Sequence, residues 1–137
     1  MNRLLLFIFV FCQGFCALGQ TWVGGDPGNE TDWTVGVNWS SGTAPTSGST
    51  DVIIIPSCGS GGGLTYCPTI NADWVIKGSL TINSGATLTS NNTNFRIGDE
   101  TSVGSLINNG TMTGFDFIRN EGAAVAGAVA GEPSIYY

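Results

Sequence analysis

A phrase written Ile82-Asn-Ser-Gly-Ala-Thr-Leu-Thr89 is repeated in altered form twice further along the chain. The later versions are Ile107-Asn-Asn-Gly-Thr-Met-Thr113 and Ile118-Arg-Asn-Glu-Gly-Ala-Ala-Val-Ala126. Each has an apolar residue, an Asn, a Gly and then alternating small and apolar positions. Such repetition is typical of a solenoid, in which each repeat buries its apolar face against its neighbours. The sequence therefore predicts an all-β fold, a parallel β-helix, over residues 51–137.

The alternation within the phrases assigns an inside and an outside to each strand. Side chains on a strand point to opposite faces in turn, so Leu88 and Met112 can point inward while the threonines beside them point outward. Asn and Gly suit the tight corners between short strands because both tolerate a positive φ angle. An antiparallel β-sandwich of hairpins would have similar glycine-rich turns, and it is the alternative fold.

The spacing of the phrases is uneven, since Gly110 lies much closer to Gly122 than to Gly85. Either the third phrase marks a different corner of the same turn, or the repeat decays there. A solenoid also needs a cap at each end, because its last turn exposes strand edges. The tail after Gly127 is too short for a folded cap, so we expect an open C-terminal end that continues into a longer protein or self-associates.

Residues 1–19 have the features of a secretory signal peptide. A short basic start precedes the apolar run from Leu4 to Phe11, and Ala17-Leu-Gly19 is a small-x-small cleavage site. A spanning helix needs about 20 apolar residues, so this run is too short, and no membrane span is expected in the mature chain. The protein is therefore expected to be secreted, either extracellular or at the cell surface.

The expected mature chain is acidic and has few charges. Lys77, Arg96 and Arg119 are its cations, against ten Asp and Glu residues. A surface of this sign repels nucleic acid and anionic lipid, so neither is expected as a partner. The partners that this composition leaves open are a glycan or another surface protein.

Cys58 and Cys67 are the two cysteines of the mature chain, and a glycine-rich loop lies between them. In an oxidising compartment they can pair. Closing a loop of this size stabilises a fold by roughly 2.5–3 kcal/mol in the chain-entropy account. The spacing does not match a CxxC redox pair, and the chain has no histidine to complete a zinc site, so no metal or other cofactor is expected.

Residues 20–50 form a distinct segment that holds Trp22, Trp33 and Trp39 among turns rich in Gly and Pro. Flat indole faces stack on sugar rings, so these three are candidate carbohydrate-binding residues. Alternatively, they form a cap over the N-terminal end of the β-helix, because large aromatic side chains bury the most area per residue. We favour the cap and expect Trp33 and Trp39 to be buried.

Catalytic chemistry has little support in the sequence. Without histidine, Ser-His and Cys-His catalysis are excluded. Three pairs of carboxylates remain as candidates: Asp26 with Asp32, Asp99 with Glu100, and Asp116 with Glu121. We interpret each pair as part of a solvated turn, with weak Ca²⁺ binding at Asp99 and Glu100 as an alternative. The protein is therefore expected not to be an enzyme.

A longer sequence pattern begins within residues 20–50 and extends into the first repeated phrase. It reads Trp33…Asn38-Trp39-Ser-Ser-Gly42…Pro45…Asp51-Val-Ile-Ile-Ile-Pro56 and continues with Leu80-Thr-Ile-Asn-Ser-Gly-Ala-Thr-Leu88. This pattern resembles the N-terminal regions of secreted Bacteroidetes surface proteins, which look like adhesin or haemagglutinin-type β-helices and are often exported by the type IX system. The resemblance implies a non-catalytic surface or adhesin module. Such proteins are usually far longer and end in a sorting domain, which is not visible here.

Two other functions stay open from the sequence. One is a carbohydrate-binding module that uses the tryptophans of residues 20–50. The other is the N-terminal part of a β-helix enzyme that acts on polysaccharides, since parallel β-helices also host pectinases and lyases. Burial of the tryptophans separates the surface module from the sugar binder, and a cluster of acids in one groove would favour the enzyme.

Overall fold

The computed structural model describes residues 19–99, 101–120 and 124–127. Its strands are β1 Gln20–Thr21, β2 Val52–Ile55, β3 Thr69–Ile70, β4 Trp74–Ile76, β5 Ser79–Ile82, β6 Thr87–Ile97, β7 Ser105–Asn108, β8 Thr111–Asn120 and β9 Ala124–Gly127. One 3-10 turn, Gly36–Asn38, accompanies them. The all-β prediction is therefore confirmed. Residues 1–18 of the predicted signal peptide, which spans residues 1–19, lie outside the described residues, as does the expected open tail at residues 128–137.

The strands form two sheets, and the ladders between the named strands are parallel. The first sheet has the order β1-β2-β5-β7-β9. In the second sheet β6 lies between β8 on one edge and the short strands β3 and β4 on the other. The alternative of an antiparallel sandwich is therefore wrong for these strands. Alternation of side chains could not exclude it, because both arrangements have the same period of two.

The register of the first sheet aligns equivalent residues in a column. Ile53 pairs with Leu80, and Leu80 pairs with Leu106, at the same position of β2, β5 and β7. Each of these three side chains is at most 1% exposed. Because paired strands lie about 4.8 Å apart, the stacked side chains fill a continuous row. Burying each one stabilises the fold by roughly 1.5–3 kcal/mol.

The second sheet supplies the opposite wall of the same hydrophobic core. Leu88 of β6 pairs with Met112 of β8, and both are fully buried, as the alternation predicts. Phe95 pairs with Trp74 on one side and with Ile118 on the other. Buried residues of both sheets belong to one cluster. The core therefore lies between the inward faces of the two sheets.

From β5 onward the chain alternates between the two sheets. The first phrase connects β5 to β6, and the second connects β7 to β8, so both pass from the first sheet to the second. The third phrase connects β8 back to β9 and passes in the opposite direction. It therefore marks a different corner, which explains its uneven spacing.

The Asn-Gly corner of the second phrase lies directly on the corner of the first. Thr111 N–H donates to the Ala86 carbonyl oxygen at 2.9 Å. The buried Asn108 side chain accepts a hydrogen bond from Gly110 N–H at 3.1 Å. A Cβ atom at Gly110 would lie 2.5 Å from the carbonyl oxygen of Ala86 and 2.6 Å from that of Asn83. Glycine is needed here because two backbones approach closely.

Replacing Gly110 with alanine tests this close approach. Gly110→Ala should destabilise the protein by roughly 1–3 kcal/mol, because the added methyl group forces the two stacked corners apart. Thermal or urea unfolding of the purified protein measures the loss. Gly61→Ala is the matched control, since a Cβ atom at Gly61 has nothing within 4 Å. Equal stability of the two variants would show that the corners do not stack as described.

Candidate functional site

Four tryptophans form one aromatic cluster that joins residues 20–50 to the sheets. The ring centroid of Trp39 lies 5.2 Å from that of Trp22 and 4.7 Å from that of Trp33, both edge-on. Trp33 in turn contacts Trp74 of β4 at 5.4 Å. All four side chains are at most 6% exposed. Edge-to-face pairs of this kind add roughly 0.5–1.5 kcal/mol each to the stability gained by burial.

Backbone hydrogen bonds attach this segment to both sheets. Trp22 N–H donates to the Ile54 carbonyl oxygen at 2.9 Å, which continues the pairing of β1 with β2. Thr69 N–H donates to the Thr31 carbonyl oxygen at 2.7 Å, and Trp33 N–H donates to the Thr69 carbonyl oxygen at 3.2 Å. Because both sheets hold the segment, its tryptophans are positioned over the start of the core. This position supports the interpretation as a cap.

A buried amide fixes the loop inside the cap. Asn38 is fully buried, and its Nδ2 donates to the carbonyl oxygens of Asn29 at 2.8 Å and Asp32 at 3.1 Å. Its Oδ1 accepts from Asp26 N–H at 2.8 Å. Buried polar groups are costly unless they are paired, so this side chain specifies one loop conformation. Sequence reasoning missed this role, although an Asn directly before the buried Trp39 could have suggested it.

The structure corrects the interpretation of Trp22, Trp33 and Trp39 as a sugar platform. Their exposed fractions are 0%, 0% and 2%. A sugar ring needs an accessible indole face, and these faces are packed against other tryptophans and the core. The expected burial of Trp33 and Trp39 is confirmed. Trp74, which the sequence analysis left outside the cap, completes the cluster.

The predicted disulfide between Cys58 and Cys67 is present. Within its loop, Gly59 N–H donates to the Leu64 carbonyl oxygen at 2.8 Å. A Cβ atom at Gly62 would lie 2.2 Å from the Cys58 nitrogen, so the loop folds back on its own beginning. The glycines thus allow a compact turn rather than a loose loop. The covalent link stabilises it by roughly 2.5–3 kcal/mol through the entropy of the unfolded chain.

A groove of about 490 Å³ runs along the stacked corners beside the disulfide. Its lining is neutral and includes Ser60, Gly85, Thr87, Asn109, Gly110 and Thr111. Hydroxyl and amide groups of this kind can form hydrogen bonds with a ligand. They do not supply an acid or base with a pKa near neutrality, so the groove has no group suited to general acid–base catalysis.

Asp99 and Asp73 each bind donors from neighbouring residues. Asp99 forms a salt bridge with Lys77 and accepts hydrogen bonds from the Thr101 N–H at 2.9 Å and hydroxyl at 2.8 Å. The Lys77 ammonium first, and the Thr101 donors second, hold the pKa of Asp99 well below its usual value. The backbone N–H and side-chain amide of Asn94 likewise lower the pKa of Asp73.

Acidic residues of the cap have similar roles. The Gly28 N–H donates to Glu30 at 3.0 Å and is the main cause that lowers the pKa of this carboxyl. Asp26 accepts from the Asn29 side chain at 3.1 Å. Glu100 and Glu121, the partners that the sequence analysis gave to Asp99 and Asp116, lie outside the described residues. Within the described ranges, no group of three or more acidic, Cys or His side chains could hold a metal ion.

No family model, curated protein or solved structure matches this chain. Across the described ranges, no helix has both the length and the apolar character needed to cross a membrane.

The depressed pKa of Asp99 predicts a loss of stability in acid. Its folded-state pKa lies below the ordinary value of 3.8, so its contribution to stability is present above 3.8 and is lost as the pH falls from there through the folded-state pKa. Asp99→Asn removes the titrating group. Thermal midpoints recorded from pH 6 to pH 2 should therefore fall less steeply with acidification in the variant than in the wild type.

Asp116→Asn is the control, because Asp116 is an exposed carboxylate on β8, away from the half-buried Asp99. It removes one negative charge without touching the bridge to Lys77. The wild-type and Asp116→Asn proteins should show similar slopes of the thermal midpoint below pH 4. An Asp99→Asn protein with the wild-type slope would contradict the assignment of this carboxylate to acid stability.

Proposed function

We propose that this chain is a non-catalytic, secreted cell-surface module of the adhesin type, built as the N-terminal end of a parallel β-helix. The observation that carries the proposal is the parallel register that aligns β2, β5 and β7. The chain returns to the first sheet after each visit to the second and adds its new strand beside the previous one. That connectivity supports a helical winding of the chain, with β5 to β6 and β7 to β8 as successive turns.

The tryptophan cluster supports the assignment of an N-terminal end. A β-helix exposes its core and its strand edges where it begins, so something must cover both. Residues 20–50 place Trp22, Trp33 and Trp39 against the core, and β1 shields β2 with two residues only. A very short edge strand is one of the means by which proteins discourage unwanted pairing.

The direction of the pKa shifts of the carboxylates supports a structural rather than a catalytic role. A general acid in a glycosidase needs a raised pKa, which burial in an apolar site supplies. Asp99, Asp73 and Glu30 instead have lowered pKa values, and the main causes are the Lys77 ammonium for Asp99, the Asn94 backbone N–H for Asp73 and the Gly28 N–H for Glu30. These groups are suited to holding the backbone. The disulfide supports export, because such bonds persist in oxidising compartments.

The edge strands β8 and β9, at the end of the sheets opposite the tryptophans, support a role in assembly. In the part of the chain that the structure describes, β8 and β9 are the last strands of their sheets. Edge strands offer unpaired N–H and carbonyl groups to a further strand. The proposal assigns this end to pairing with more β-helix or with a partner chain, including a second copy.

Expression of the full chain in a Gram-negative bacterium tests the proposal. The exported protein should begin at Gln20, contain no free thiol and release no sugar from a panel of neutral and acidic polysaccharides. Edman sequencing, mass spectrometry without reductant and reducing-end assays measure these three results. The heat-denatured protein is the control for background hydrolysis.

Two results would contradict the proposal. The first is retention of the intact N-terminal segment in the cytoplasm. The second is polysaccharide cleavage that Asp32→Asn or Asp99→Asn abolishes while the thermal midpoint at neutral pH stays near that of the wild type. Sedimentation of the exported protein over a wide concentration range tests the edges formed by β8 and β9, where a strictly monomeric species would contradict pairing with a second copy.

A further inference from the structure

A small cleft lies between the tryptophan cap and the second sheet. Its volume is about 100 Å³. Trp33 of the cap and Trp74 of β4 form its walls, and their rings lie edge to face at 5.4 Å. Asp32, Asn71 and Ala72 are among the other residues that line it. The cleft is therefore made where two separate parts of the chain meet.

The indole N–H groups divide the four tryptophans into two pairs. Trp22 Nε1 donates to the Tyr66 carbonyl oxygen and Trp39 Nε1 donates to the Trp33 carbonyl oxygen, both at 2.8 Å. Trp33 Nε1 and Trp74 Nε1 are buried and have no acceptor among the described residues. Trp33 is 0% and Trp74 6% exposed. A buried donor without a partner costs roughly 1–3 kcal/mol.

Both unsatisfied donors belong to the rings that line this cleft. Edge-on contact with a neighbouring ring gives an N–H group only a weak interaction. An acceptor atom that enters the cleft, with a small opening of the two ring edges, would satisfy them much better. The coincidence of a cavity with two unpaired buried donors is what distinguishes this site from the neutral groove beside the disulfide.

Polar groups at the cleft offer both acceptors and donors. Asp32 Oδ1 accepts from the Thr34 N–H at 2.8 Å and from the Thr34 hydroxyl at 2.7 Å, which leaves Oδ2 able to accept from a ligand. Asn71 Oδ1 accepts from Asn91 Nδ2, so the Asn71 amide group can donate. The site therefore combines a carboxylate acceptor, an amide donor and two indole donors.

This combination selects the chemistry of the ligand. The Asp32 carboxylate and the net charge of −6 disfavour an anion. The two indole N–H groups present positive ends, which disfavour a cation. A neutral hydroxyl group both donates and accepts, so it matches the carboxylate and the indoles together. The cleft volume equals about three water molecules, so it admits one hydroxyl-bearing edge of a larger ligand.

We propose that the cleft between Trp33 and Trp74 binds a neutral saccharide, whose hydroxyl oxygens accept hydrogen bonds from the two indole N–H groups. This site uses indole edges, in contrast to the stacking platform that the burial of Trp22, Trp33 and Trp39 rules out. The inference goes beyond the proposed surface module and does not depend on secretion or on β-helix winding. A contact of this size implies an affinity in the millimolar range.

Proton–nitrogen correlation spectra of the exported protein test the site, because each indole N–H gives a separate signal. The probes are glucose, mannose and N-acetylglucosamine, with sodium acetate and tetramethylammonium chloride as the anion and cation controls. At least one sugar should shift the Trp33 and Trp74 signals saturably and leave the Trp22 and Trp39 signals in place. Through-space contacts assign the four signals without substitution.

Substitution of the exposed Ala72 by arginine tests the location of the site. Ala72→Arg should place its guanidinium near Asp32, obstruct the cleft and weaken sugar binding at least tenfold. Thr65→Arg adds the same charge at an exposed position of the disulfide loop and should leave binding unchanged. Unmoved indole signals with all three sugars would overturn the inference. A common shift of all four signals, or an equal response to acetate or tetramethylammonium, would also overturn it.

Discussion

The stacking of equivalent side chains in register across parallel strands is the constraint on which the rest of this structure depends. Ile53, Leu80 and Leu106 occupy one buried column, and a shift of one residue in either pairing would turn the buried side chains of the shifted strand toward solvent. That register also brings the corners together, so closely that Gly110 cannot carry a side chain without displacement of its neighbours. The strands of the first sheet have at most four residues each, so they are stabilised mainly by the neighbouring strands.

A core built by stacking strands exposes apolar side chains at its ends, and the tryptophans of the N-terminal part of the chain pack against one such end. The four tryptophans supply large apolar area where the first strands would otherwise expose it. Packing bulky rings edge to face does not bring every indole N–H to an acceptor, and Trp33 and Trp74 are the two left without one. The packing of Trp33 against Trp74 thereby forms the cleft that we assign to a sugar. The packing of Trp33 against Trp74 thus contributes both to stability and to the proposed binding. Trp22 and Trp39, whose indole N–H groups already have acceptors, contribute to stability.

Sequence alone predicted the local features well, and the repeated phrase also predicted that the strands pair in parallel. Alternation identified Leu88 and Met112 as inward, and composition with cysteine count predicted the disulfide, because these signals are contained within a few residues. The direction of strand pairing is not contained in them, since parallel and antiparallel strands alternate alike. The same limit explains the omission of Trp74 from the cap, because it reaches Trp33 only through the fold. The role of Asn38 was missed for a related reason, as its partners come from three separate loop positions.

The order of contacts between β5 and β7 tests the central claim most directly. Through-space proton contacts in the folded protein should place Ser79 near Ser105, Leu80 near Leu106 and Ile82 near Asn108, since the two strands run in the same direction. The account predicts this ascending order and protection of the intervening amides from hydrogen exchange. Contacts in the reverse order, with Ser79 near Asn108, would contradict parallel stacking and with it the cap, the corners and the cleft built on it.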